Sequence, residues 1–269
     1  MTGPSFGSWT RPGVRSRAIA WPSILYGYVF DATSFTVSIA DAISTRACRA
    51  SDHGTVDAVI TDPPYSTGGM TLASKQADPE KKYQSSDTVK RYPAMLGDTR
   101  DQRSYTFWAT LWLSECWRVA RPGSPLLVFT DWRQLPSLTD AVQAAGWLWR
   151  GVVVWQKTSA RPVLGEFRRE AEFIVYGSKG RPQTYSRQCH PGVFKHAVNP
   201  AKKVHITGKP LELMQDLMAI VKPEGTVLDP FLGGGTTAHA ALSTGRKCVA
   251  VELSPDYAKL SAERLASLA

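Results

Sequence analysis

Short apolar runs alternate along this chain with segments whose apolar positions recur every three or four residues, a pattern that predicts strands interleaved with helices. Strand character is found at 35–41 (FTVSIAD), 56–61 (VDAVIT), 126–130 (LLVFT), 152–155, 173–176, 226–229 and 247–253 (KCVAVEL). Helical spacing is found at 105–120 (YTFWATLWLSECWRVA), closed by Arg121-Pro122-Gly123, and at 135–145, closed by Gly146. Further helices are expected at 211–221, opened by Lys209-Pro210, from Thr236 or Thr237 onward, and from Ser254-Pro255 to about residue 268. The seven strand candidates predict an α/β sheet, parallel except for a hairpin-like pair of 152–155 and 173–176 at a sheet edge. One domain over 35–269 is enough to hold it, preceded by an arm, 1–34, rich in Gly, Pro, Ser and Trp.

Two strand ends carry candidate chemistry. The run 56–61 stops abruptly in Asp62-Pro63-Pro64-Tyr65. Pro63 and Pro64 fix φ, remove two N–H donors and hold Asp62 extended, so a carboxylate, free main-chain carbonyls and a stackable ring leave one strand end together. Such a set can grip a planar group bearing an amine, although Pro-Pro also ends strands with no functional role. The run 226–229 enters Asp229-Pro230-Phe231-Leu232-Gly233-Gly234-Gly235-Thr236-Thr237, whose glycines allow a tight turn and close approach of a ligand to backbone N–H groups. Glu252, near the end of the following strand, stands where an acid can take two ribose hydroxyls.

Composition and charge narrow the picture. The formal net charge is +9, with Lys and Arg spread along the chain, as suits a polyanionic partner. The four cysteines, Cys48, Cys116, Cys189 and Cys248, form no C-x-x-C pair, which points away from a disulfide framework or a zinc ribbon and toward a reducing cytoplasm. Cys189, His190, His196 and His205 share one region without ordinary zinc spacing, and no metal is expected. The apolar segment 18–30 follows Arg11, Arg15 and Arg17, but Pro22 interrupts it and no small-residue cleavage site follows, so it is not read as a signal peptide. No run reaches the roughly 18 apolar residues of a membrane helix. Residues 66–100 form a long polar loop, and 180–205 mix Arg181, Arg187, Lys195, Lys202 and Lys203 with Tyr185 and Phe194; the latter suits a nucleic-acid-facing loop or an ordinary solvated one. Most tryptophans are expected in the core, Trp108 and Trp112 sharing helical spacing, while Trp132 at a strand end could line a pocket.

With these motifs in this order, the chain resembles the amino-methylating, S-adenosylmethionine-dependent DNA methyltransferases of the β group, over about residues 35–268. Asp62-Pro63-Pro64-Tyr65 matches their catalytic motif in full, and residues 229–237 match the cofactor loop, with Gly234 where serine is more usual. Thr207-Gly208-Lys209-Pro210 resembles the motif before the cofactor strand. The resemblance implies a Rossmann-like methyltransferase sheet with permuted motif order. It also implies cofactor contacts from Asp41, Lys209, Asp229, Pro230, Phe231, Gly233, Gly235, Thr236, Thr237 and Glu252, and catalysis by Asp62, Pro63, Pro64 and Tyr65. Double-stranded DNA is the implied partner. Members are often dimers, and their target recognition is commonly carried between the late hairpin and the Lys209-Pro210 helix, so the short segment 180–205 implies relaxed sequence specificity.

The expected reaction is direct methyl transfer to the exocyclic amine of a flipped-out base, oriented by Asp62 and the Pro63 carbonyl, with Tyr65 stacked on the base. Asp62 favours adenine N6; cytosine N4 is the alternative, since that subgroup usually begins the motif with serine. Cytosine C5 chemistry needs a cysteine after a proline, and none of the four cysteines has one. Related RNA and protein-glutamine enzymes typically begin the loop with asparagine. A non-catalytic DNA-binding protein that retains the fold is the reading from another class. No nuclease motif is visible, which suggests a stand-alone host or phage methyltransferase.

Overall fold

The structure, a computed structural model, describes residues 35–38, 54–66, 100–158, 160, 162, 164–197 and 208–266. The expected arm 1–34, Asp41, Thr207, most of the loop 66–100 and residues 198–205 lie outside the described residues. The elements follow in the order β1 (Phe35–Ser38), β2 (Ala58–Thr61), α1 (Gln102–Val119), β3 (Pro125–Thr130), α2 (Leu135–Ala144), β4 (Leu148–Lys157), β5 (Ala171–Ser178), β6 (Val193–His196), α3 (Leu211–Leu217), β7 (Thr226–Asp229), α4 (Thr236–Ser243), β8 (Lys247–Val251) and α5 (Pro255–Ala266).

All seven expected strands are present, and β6 adds an eighth at one edge, giving the order β1-β8-β7-β2-β3-β5-β4-β6. β5 runs antiparallel to both its neighbours β3 and β4, and the remaining pairings are parallel. β4 is longer than its apolar run suggested, because a bulge at Trp149/Gly151 lets the pairing continue to Leu148 beyond an irregular position. β6 escaped the sequence pattern because only four residues pair, and they alternate exposed and half-buried on an edge. α1 begins earlier than its apolar spacing, at Gln102, because the Asp101 carboxylate accepts the Ser104 N–H at 2.8 Å and caps the first turn.

β2 and β3 are buried along their whole length because helices cover both faces of the sheet. Ala58, Ile60, Leu127 and Phe129 point into a core closed by Leu213, Met214, Ala238 and Ala241 of α3 and α4. Val59, Leu126 and Val128, on the alternate positions, pack with Trp108, Trp112, Leu113, Leu138 and Val142 of α1 and α2. Trp108 and Trp112 of α1 are therefore core residues, whereas Trp117 on the same helix is exposed.

At the foot of β2, Asp57 fastens the two central strands. Its carboxylate accepts the Thr226 N–H at 2.9 Å and the Arg121 guanidinium at 2.9 Å, and its side chain is 6% exposed. Asp57→Ala is expected to lower unfolding stability by about 2–3 kcal/mol, because it strands a backbone donor and a half-exposed cation. Equilibrium urea unfolding checks this, and a change under about 0.5 kcal/mol would show that the tie is dispensable.

Candidate active site

β2 pairs with β7 on one side and β3 on the other, so the chain runs outward in both directions from the β2–β7 seam. In an α/β sheet such a switch opens a crevice at the carboxyl ends of the two strands. β2 ends in Asp62-Pro63-Pro64-Tyr65 and β7 in the glycine turn, so the two motifs that lie far apart in sequence meet in that crevice. One hydrogen bond joins them: Thr61 Oγ1 donates to Asp229 Oδ1 at 2.6 Å.

The Asp62 carboxylate is held on both oxygens. Tyr65 Oη donates to Oδ1 at 2.7 Å and Lys209 Nζ donates to Oδ2 at 2.7 Å. Lys209 also lies 3.5 Å from Glu172 Oε2, and Lys157 Nζ donates to Glu172 Oε1 at 3.0 Å, so four charges alternate in sign along one line. The Lys209 side chain is only 6% exposed while Asp62 keeps 23%, which puts the carboxylate on the open side and the ammonium beneath it. Burial pulls the Lys209 ammonium down, but Asp62 and Glu172 outweigh it and hold its pKa above the usual lysine value. Burial pushes Glu172 up, yet Lys209 and Lys157 bring it below the ordinary range. Asp62 is pushed up by burial and by the Glu172 charge, with Lys209 only partly offsetting both. Burial and the neighbouring Asp62 charge raise the Tyr65 phenol well above its ordinary value, so it remains a donor. Ser66, which follows this turn, is buried and takes a positive φ of 57°, a conformation that costs a non-glycine residue energy.

Lys209, expected among the cofactor contacts, has its ammonium on the Asp62 carboxylate. Glu172 was missed altogether. Its signal was an acid at the head of an apolar strand, which requires a buried cation nearby.

On the β7 side the glycine turn is fixed from three directions. Gly233 N–H donates to Glu252 Oε2 at 2.7 Å, and Ser254 N–H donates to Glu252 Oε1 at 2.8 Å. Gly235 adopts a φ of 79°, and a Cβ there would come within 3.0 Å of the Ser261 Cβ in α5. Arg264 of α5 donates to the Gly234 carbonyl at 2.8 Å and lies 3.3 Å from Thr236 Oγ1. Neither Ser261 nor Arg264 stood out in the sequence, since both are ordinary residues of a surface helix until α5 folds back on the loop. Thr236 and Thr237 open α4, Pro230 is buried, and the half-buried Phe231 ring packs on Trp112 and Trp108 at centroid distances of 5.2 and 5.4 Å. β1 leaves the sheet with Ser38 level with Val251, next to Glu252; Asp41 lies outside the described residues.

Asp229 is an internal tie. It is 1% exposed and accepts from Thr61 and from the Phe231 N–H at 3.0 Å. Burial lifts its pKa from 3.8 to about 6 against the hydrogen bonds of Thr237, Thr61 and Phe231. The folded protein thus holds this proton more tightly than the unfolded chain, so the stabilisation is present at low pH and is lost as pH rises from about 4 through about 6. Asp229→Asn removes that slope: relative to wild type, the variant is expected to gain up to about 3 kcal/mol between pH 4 and 7. Urea unfolding across that range checks it, and parallel curves would contradict it.

Elsewhere, His196 Nε2 lies 2.8 Å from Asp216 Oδ2, so that ring binds α3, and among the described residues no three His, Cys, Asp or Glu side chains form a metal-sized group. Trp132 is 56% exposed beyond β3, with the Arg133 guanidinium 5.0 Å from its ring centre. Among the described residues, no helix is long and apolar enough to cross a membrane.

The donor set fits a nucleoside-bearing cofactor. Each Glu252 oxygen has accepted one backbone N–H and retains a lone pair for a ribose hydroxyl, and the turn beside it has no side chains at Gly233, Gly234 and Gly235.

Comparison with known proteins places the chain in a family. The DNA methylase family covering N6 and N4 enzymes matches residues 56–263. A candidate methylase of Escherichia coli K12, YubD, is 29% identical over 222 residues, covering 79% of this chain and 83% of its own. The type II methyltransferase M.SmaI of Serratia marcescens is 26% identical over 269 residues, covering 82% and 87%. Among solved structures, the M1.HpyAVI complex with S-adenosylmethionine superposes with a TM-score of 0.61 at 20% identity, covering 86% of this chain and 98% of the other. The cytosine-N4-specific PvuII methyltransferase superposes with a TM-score of 0.65 at 16% identity, covering 86% of each chain, a likeness of fold.

Proposed function

As the chain belongs to the N6/N4 DNA methylase family, we propose that it transfers the methyl group of S-adenosylmethionine to the N6 amine of adenine in duplex DNA. The observation that carries the reading is Asp62, an open carboxylate at the mouth of the β2–β7 crevice, tied through Thr61 and Asp229 to the glycine turn.

S-adenosylmethionine supplies an electrophilic sulfonium methyl. The Glu252 carboxylate would take the ribose hydroxyls, and the backbone of 233–235 would hold the rest of the cofactor. The adenine amine is a poor nucleophile because its lone pair is delocalised into the ring. Asp62 would accept one amine hydrogen and the Pro63 carbonyl the other, which would pyramidalise the nitrogen and free its lone pair for the methyl. Lys209 beneath Asp62 favours the charged carboxylate and fixes its direction, and Tyr65, whose hydroxyl holds Oδ1, presents its ring to the flipped base. After transfer the surplus nitrogen proton passes to Asp62, whose pKa burial has already raised.

Cytosine N4 carries a chemically equivalent amine, and the fold serves both bases; the aspartate that begins the loop favours adenine. A purely DNA-binding role leaves the four-charge line and the Glu252 cradle without purpose. The test is incubation with DNA and methyl-labelled S-adenosylmethionine, followed by nucleoside analysis. Label in N6-methyladenine, absent with Asp62→Ala, is the expected result. Label in N4-methylcytosine would overturn the base assignment, and unlabelled DNA would overturn the activity.

A further inference from the structure

The loop between β4 and β5 has no part in the chemistry above, yet it leaves the sheet at the same edge. Gln156 pairs with Ala171 and Thr130 with Phe173, so the loop rises from the same sheet edge as Asp62, and Glu172, two residues past it, reaches Lys209. At its tip Leu164 and Phe167 are 102% and 97% exposed, the two most exposed large apolar side chains among the described residues. Side chains of this size lose about 1.5–3 kcal/mol each by staying in water, and a lone pair of them at a loop tip calls for a partner. Arg168 and Arg169 follow at once, and with Trp132 they line one open cleft. Their ion pairs, Arg168 with Glu170 at 3.8 Å and Arg169 with Glu166 at 3.2 Å, are surface contacts that exchange readily for phosphate.

Apolar tips backed by arginines at the rim of a base-modifying site suit the inside of a duplex better than a protein surface: the tips can enter a base step while the guanidiniums hold its phosphates. We propose that residues 164–169 form a DNA wedge, with Phe167 and Leu164 filling the gap left when the target base turns out toward Asp62 and Arg168 and Arg169 clamping the flanking backbone. The proposal rests on the methyltransferase reading above and assigns to this loop a duplex-opening role.

Such a wedge matters only when the target base must be pulled from a partner. The test uses an oligonucleotide duplex holding the sequence that the wild-type enzyme methylates, made once with the normal partner base and once with an abasic site opposite the target. Leu164→Ser/Phe167→Ser is expected to lower the transfer rate about tenfold or more on the paired duplex and to come within about twofold of wild type on the abasic one. Arg168→Gln/Arg169→Gln is expected to weaken binding of both duplexes and to flatten the salt dependence. Equal losses of rate on both duplexes for the apolar double variant would mean a merely structural loop, and unchanged rates on the paired duplex would mean no wedge; either overturns the proposal. So would unchanged rates joined to a shift in oligomeric state, which would assign the tip to a second copy. A wild-type protein that methylates no DNA is a separate outcome, which removes the activity and the wedge together.

Discussion

Asp62→Asn is expected to reduce single-turnover methyl transfer about a thousandfold while leaving S-adenosylmethionine affinity within about threefold of wild type. The substitution keeps shape and volume, so Pro63 and Pro64 still hold the loop and Tyr65 can still donate to the retained oxygen. What disappears is the negative charge that polarises the amine, and with it the acceptor for the surplus proton. An NH₂ group now faces the Lys209 ammonium, which falls back on Glu172 at 3.5 Å. Because the glycine turn is fixed by Glu252, Ser261 and Arg264 rather than by Asp62, cofactor binding has no reason to change. Rapid-quench kinetics and isothermal calorimetry separate the two quantities. A rate loss below about tenfold would mean that the carboxylate only shapes the loop.

Glu252→Ala is expected to have the opposite signature: affinity for S-adenosylmethionine falls about a hundredfold or more, and transfer at saturating cofactor falls much less. Two charge-assisted hydrogen bonds to ribose hydroxyls are lost, each worth about 1.5–3 kcal/mol. The Gly233 and Ser254 N–H groups also lose their acceptor, which loosens the turn. Glu252→Gln keeps one carbonyl oxygen and should fall between alanine and wild type. Titration of S-adenosylmethionine, and separately of a cofactor analogue lacking the ribose hydroxyls, checks the assignment: Glu252→Ala should cost the analogue far less affinity than the full cofactor. If the variant still favoured the full cofactor, the ribose contact would have to lie elsewhere.

The strands that build the site were legible because they obey the simplest rule. The continuous apolar runs of β2 and β3 demand cover on both faces, and β2 runs into Asp62 at the crevice. The glycine turn was legible for a local reason too, since a φ of 79° at Gly235 suits a residue with no Cβ. What depended on the third dimension was not legible. Lys209 read as a surface residue of a first helical turn or as a cofactor contact, and only the packing of that turn beneath β2 brings it onto Asp62. Glu172 fell one residue outside the apolar run that marked β5. The sequence offered Asp229 as a cofactor contact, and the internal hydrogen bonds that its carboxylate accepts from Thr61 and Phe231 were not legible in it. β6 gave too short a pattern to be seen, because an edge strand with one wet face obeys only a weak alternation.

The account stands or falls on a methyl group arriving at an exocyclic base amine under the control of Asp62. The most direct measurement is nucleoside mass analysis of chromosomal DNA from a bacterial host without methylation of its own, expressing either the wild-type chain or Asp62→Asn. A chromosome presents every short sequence at once, so the result does not depend on knowing the target. N6-methyladenine in the wild-type sample and none in the variant is the predicted result; DNA free of any methylated amine, or equal methylation from both chains, would contradict the account.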